Sequence, residues 1–154
     1  MRQYLALFAL ITSLGAIAQP SPPTKPTHMN NFNSDSAAIA AILTDVYFKG
    51  IYEGDVKLLR TAFYENTLLF GDAAGKPYFK TLAQYMDGVA NRQSPKESGK
   101  PFKGTILSVE VTGSIAVAKV AVKMYDFNYL ELLSFHELDG KWLIVNKMIH
   151  DVQQ

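Results

Sequence analysis

The sequence predicts an α+β domain in which helices pack on one face of a curved antiparallel sheet. In the first half of the chain, apolar residues recur at three- and four-residue spacing, the period of a helix with one buried stripe. After residue 101, four long runs are rich in Val, Ile, Leu and aromatic residues. The connections between those runs are too short for crossovers, so neighbouring strands run antiparallel.

The first 18 residues stand apart. Arg2 is followed by an almost wholly apolar stretch, Tyr4 to Leu14, and then by Ala16-Ile17-Ala18. This is the layout of a cleaved secretory signal, and the apolar run is short for a membrane span. No cysteine stands at the cleavage site, so no lipid anchor is expected after cleavage. Residues 19–34 carry Pro20, Pro22, Pro23 and Pro26, four of the seven prolines, and read as an extended linker. The folded domain is expected over residues 35–154, exported to a periplasm or secreted. The formal charge of +1 is that of Arg2, so the chain beyond residue 18 is neutral.

The first helix is expected from Ser36, capped by Asn33, Ser34 or Asp35, with Ile39, Ile42, Leu43, Val46, Tyr47 and Gly50 along one stripe. Asp55 caps a second, short helix carrying Val56, Leu58, Leu59, Ala62 and Phe63. Thr67–Phe70 and Lys76–Phe79 form a hairpin around the turn residues Gly71 to Gly75. Thr81 caps a third helix with Leu82, Tyr85, Met86 and Val89 on its buried side, and Arg92 to Pro101 reads as a loop. The four strands are Phe102–Val111, Ile115–Tyr125, Phe127–Leu138 and Lys141–Asp151, with Asp139-Gly140 a strong hairpin signal. In the last two strands both residue parities are apolar, so the second sheet face is expected to be covered, most economically by a second copy of the chain.

Fifteen basic against 14 acidic residues leave no electrostatic footprint for nucleic acid or an anionic membrane. With no cysteine, a disulfide scaffold, a thiolate zinc site and a cysteine nucleophile are excluded. The scattered His28, His136 and His150 make no ligand set, so no metal is expected. No phosphate-binding glycine loop, G-x-S-x-G or H-E-x-x-H is present, and no cofactor is expected.

The stretch Tyr47-Phe48-Lys49-Gly50-Ile51-Tyr52-Glu53-Gly54-Asp55, with Leu58-Leu59 and Phe63-Tyr64-Glu65-Asn66 after it, resembles the opening of the nuclear transport factor 2-like superfamily. The ending resembles it too, in Leu132-Leu133, Asp139-Gly140-Lys141-Trp142 and Ile144-Val145-Asn146-Lys147. Within that superfamily the pattern is most similar to the bacterial branch labelled putative lumazine-binding, a neighbour of the SnoaL-like proteins. The resemblance covers Ala37 to Val152. It implies a cone-shaped, cystatin-like fold of three helices on a curved antiparallel sheet, a pocket between helices and concave face, and pairing through the sheet. It names no single activity, because one cone hosts isomerases, cyclases, dehydratases, hydrolases and binders. Tyr64 follows Phe63 where the branch usually has His.

The ligand-pocket candidates are Tyr47, Tyr85, His136, Trp142 and Asn146. Aromatic walls with hydroxyl tips suit a flat, partly polar small molecule. His136 is a candidate pocket base or hydrogen-bond donor, and Asn146 shares parity with Trp142 and Ile144. Glu131 and His136 have opposite parity, so without a bulge they cannot line one pocket as a dyad. Which parity faces inward is open from the sequence. The first reading is an exported small-ligand-binding domain, homodimeric, with no catalysis assigned. The alternatives are a cofactor-free lyase or isomerase of the SnoaL or ketosteroid-isomerase type, and an interaction module with a filled cone. The size and polarity of the cone interior separate them.

Overall fold

A computed structural model describes residues 28–152; the expected signal and most of the expected linker lie outside the described residues. Helical backbone runs without a break through α1 (His28–Ala41), a π-helical segment (Ile42–Phe48) and α2 (Lys49–Glu53). Asn33, Ser34 and Asp35 therefore lie inside the helix instead of capping it. The wider π segment turns Leu43, Tyr47 and Phe48 together into the core. Gly54, at φ 71°, ends α2 in the left-handed conformation that a residue without Cβ adopts freely. Asp55 then caps α3 (Val56–Arg60), its carboxylate accepting from the Leu58 N–H at 2.9 Å.

The hairpin strands are longer than their apolar signal. β1 spans Phe63–Ala73 and β2 Lys76–Thr81. The expected cap at Thr81 forms a reciprocal box with Gln84 and starts α4 (Leu82–Ala90), which buries Leu82, Tyr85, Met86 and Val89. The expected loop contains one helical turn, α5 (Pro95–Ser98). Ser94 and Glu97 form a second capping box there, with Pro95 at the first helical position. β3 (Phe102–Thr112), β4 (Ile115–Met124), β5 (Phe127–Leu138) and β6 (Lys141–Asp151) follow as a meander.

One curved, open six-stranded sheet results, in the order β2-β1-β6-β5-β4-β3. Every pairing is antiparallel except β1 with β6, where the hairpin docks alongside the end of the meander. The helices cover the inner face, to which β4 sends Ala116, Ala118, Val120, Val122 and Met124 in strict alternation. Extra residues interrupt two antiparallel ladders, near Leu107 in β3 and at Val145 in β6. Such bulges bend a strand and re-aim the side chains beyond them.

The outer face carries Leu68, Phe70, Phe79, Ile115, Val117 and Met148, all exposed within this chain. The helical layer meets the sheet closely at Gly104 of β3, where a Cβ would overlap the Phe48 ring. Gly104→Ala is therefore expected to cost about 1–3 kcal/mol through overpacking. Urea unfolding measures it, and an unchanged midpoint would contradict this account of helix–sheet contact.

Candidate functional site

A cavity of about 160 Å³ opens between α2, α4 and the concave face of the sheet. Ile51, Val122, Met124 and Ile149 give it apolar walls, and Tyr78, Tyr85 and Tyr129 add aromatic ones. Its charged lining is Lys80, Arg92, Glu131 and Lys147.

Glu131 and Lys147 are 2% and 3% exposed, charges that proteins bury only when paired. Lys147 Nζ lies 2.7 Å from Glu131 Oε1. Tyr47, fully buried, donates its hydroxyl to Glu131 Oε2 at 2.6 Å and accepts from Lys147 Nζ at 2.6 Å, which closes a triangle. The ammonium also stands over the Tyr47 and Tyr85 rings, 5.2 and 5.0 Å from their centroids. Burial works against the charge on Lys147, but the Glu131 carboxylate together with Tyr85 and Tyr78 holds the ammonium above its ordinary range. Burial, reinforced by the Glu131 charge, lifts the Tyr47 hydroxyl well above its usual value. Lys147 is therefore a fixed cation and a poor amine nucleophile, and Tyr47 is a donor locked to Glu131.

The bulge at Val145 brings Lys147 here. Trp142 and Ile144 face the core, and beyond the extra residue Lys147 and Asp151 take the inward positions. Asn146 is turned to the outer side, donating from Nδ2 to the Leu68 carbonyl at 3.1 Å, so its shared parity with Trp142 does not bring it to the cavity. Of the five candidates, Tyr85 lines the cavity and Tyr47 stands behind its Glu131–Lys147 floor. Trp142 is buried in the core away from the cavity lining. His136 lies on the opposite face, in a groove of about 460 Å³ with Glu110, Ile115, Val117 and Val145. Glu131 and His136 point to opposite faces of β5, so they form no dyad.

Sequence reasoning missed Lys147 and Arg92. The available signal was a lone lysine and a lone glutamate in the otherwise apolar middles of adjacent long strands. Among the described residues, no group of three or more His, Cys, Asp or Glu is placed to hold a metal ion.

Residues 34–150 match the model of the family described as "Putative lumazine-binding". The chain belongs to this family. An aldolase of a Cladobotryum species, FrzH, is 26% identical over 106 residues, which span 68% of this chain and 82% of that protein. The fold is shared with an NTF2-like protein of unknown function from Shewanella baltica, at a TM-score of 0.70 and 23% identity, covering 80% of this chain and 98% of that one. A ketosteroid isomerase-like protein from Erwinia carotovora atroseptica has a TM-score of 0.61 and 13% identity, covering 80% and 100%. This family member thus has an NTF2-like fold.

Lys147→Met leaves Glu131 buried without its counter-charge and is expected to cost about 3–5 kcal/mol. Adding Glu131→Leu should restore much of that, since an apolar replacement of a buried pair is often tolerated. Lys147 and Tyr47 both hold their protons more tightly folded than unfolded. Their stabilisation is complete below the unfolded values, 10.5 for Lys147 and 10.0 for Tyr47, and is lost as pH rises through the higher folded values. Denaturation midpoints should therefore fall above pH 10.5, less steeply in the double variant. Equal alkaline slopes would count against the triangle as the cause.

Proposed function

We propose that the inner cavity binds a small, flat, partly polar molecule, without metal or cofactor, in an exported domain that pairs through its outer sheet face. The observation that carries this reading is the convergence of Tyr78, Tyr85 and Tyr129 with four charged side chains on one apolar-walled cavity. The name of the family supports it. So does cavity size, since about 150 Å³ holds a single benzene-sized ring. Export rests on the Arg2, Tyr4–Leu14 and Ala16-Ile17-Ala18 layout. Pairing rests on the exposed apolar side chains of the outer face.

A second reading is proton-transfer chemistry of the lyase or isomerase kind. Its supporting observation is that Glu131 and Lys147 both line the cavity, and the aldolase relative adds to it. In this reading the fixed ammonium stabilises a developing enolate oxygen while the carboxylate takes the proton.

Native mass spectrometry of protein purified from its own host tests these points together. The expected chain starts at Gln19 and retains a small molecule. Gly88 of α4 lines the cavity, and a Cβ there meets only Lys80 Nζ, at 3.7 Å. Gly88→Leu is therefore expected to fold at least as stably, given its helix propensity, and to lose the molecule. Retention by Gly88→Leu, or a wild-type protein that carries nothing, counts against the site. A deuterium mass gain in the retained molecule after incubation in heavy water favours the second reading. By light scattering the wild type should be a dimer, and Val117→Glu a monomer; a wild-type monomer at micromolar concentration would sink the pairing.

A further inference from the structure

One edge of the sheet is β2, whose side chains alternate between the two faces. Phe79 points outward, where its ring meets that of Phe70 at 5.0 Å. Tyr78 and Lys80 point inward and line the cavity. Lys80 Nζ stands 5.2 Å from the centre of the Tyr78 ring and 3.7 Å from where a Cβ on Gly88 of α4 would lie. Gly88 and Tyr78 both line the cavity, so the ammonium sits at its rim, between edge strand and helix. It is half-buried and meets no carboxylate among the described residues. Unlike the Nε and Nη2 atoms of Arg92, which are closed off from solvent, it is open to water.

The hydroxyls of Tyr78, Tyr85 and Tyr129 are unengaged too. None makes a hydrogen bond among the described residues, and none is closed off as the Arg92 nitrogens are. Burial raises the Tyr78 and Tyr129 hydroxyls, so each keeps the proton that it can donate. The nearby carboxylates are already occupied. Glu131 binds Lys147 through one oxygen and the Tyr47 hydroxyl through the other. Asp151, whose charge reaches Tyr129, accepts from the Ala74 N–H at 3.0 Å, and Asp72 is paired with His150 at 2.9 Å. What the lining leaves unmatched is a lysine ammonium and three hydroxyls, with no free carboxylate. That set suits an occupant that is negative and carries several acceptor atoms.

We infer that the occupant is a flat, one-ring acid bound as its oxyanion, with the charged oxygen at Lys80 and further acceptor atoms taking the hydroxyls of Tyr78, Tyr85 and Tyr129. The inference rests on the cavity being a small-molecule site and adds the charge and orientation of what it holds. Glu131 is neutralised by Lys147 and so repels the anion little. The charged end stays at the rim, where Lys80 meets it, and the ring reaches inward between the tyrosines.

Para-nitrophenol tests this on the full chain, because it is a one-ring acid that ionises near neutrality and absorbs visible light only as its anion. Titrated across pH, the bound probe is expected to ionise about one pH unit below the free probe, which corresponds to about tenfold tighter binding of the anion. Lys80→Met should abolish that shift with little change in Tm, and Lys80→Arg should keep most of it. Tyr85→Phe and Tyr129→Phe retain the rings and should each weaken binding of the anion roughly threefold or more. Lys100→Gln removes a positive charge from a surface hollow outside the cavity and should change neither readout. A bound probe that ionises like the free one, or a shift that survives Lys80→Met or vanishes in Lys100→Gln, overturns the inference and spares the cavity as a neutral site. So does wild-type affinity in both phenylalanine variants. If neither form of the probe binds, the inference and the small-molecule site fall together.

Discussion

The closed triangle of Tyr47, Glu131 and Lys147 is the constraint on which the rest of the domain depends. Withdrawing each ion from water costs several kcal/mol, so the two charges are tolerable only at hydrogen-bond distance with their remaining capacity filled. Tyr47 fills it, donating to the carboxylate and accepting from the ammonium. One residue comes from the helical layer and two from neighbouring strands of the sheet, so the triangle fixes the helix against the concave face in one register. Apolar packing around it, from Leu43 and Phe48 to Leu133 and Ile144, supplies adhesion without that specificity.

Two local irregularities make the triangle possible. The π-helical segment carries Tyr47 inward beside Phe48, and the extra residue at Val145 carries Lys147 inward beyond Ile144. Each is a departure from regular backbone at the place where polar groups gather, which is where such departures recur. Their consequence is a cavity with a polar, charge-balanced floor and an unbalanced cationic rim formed by Lys80 and Arg92. Because Lys147 keeps its proton, the floor offers a positive donor and a carboxylate, not an amine nucleophile.

Much of the fold was legible in the residues. Thr81 with Gln84, Asp55, and the Asp139-Gly140 turn, with φ of 50° and 73°, are local signals whose physics is complete within a few positions. The last two strands run from Phe127 to Leu138 and from Lys141 to Asp151, the bounds their apolar patterns indicate. The upstream extent of the first helix, the length of β1 and the turn at Pro95 were less legible, because pairing with β6 or capping by Ser94 and Glu97 holds backbone that lacks an apolar signature. The candidate site was legible in part. Tyr47 and Tyr85 share the stripes of their helices, whereas reading Asn146 by parity fails at a bulge that no single residue announces.

What the sequence determined by itself was the α+β class, the order of its elements, the family resemblance and the aromatic, cysteine-free character of the interior. Periodicity and capping carry that information over short spans of chain. Tertiary structure alone decided which parity faces inward, that Lys147 meets Glu131, that His136 belongs to the outer face, and that two buried donors of Arg92 have no partner among the described residues. The physical reason is range. Registers, bulges and charge pairs are settled between strands and helices far apart in sequence, where the cost of burying a charge selects the arrangement that satisfies it.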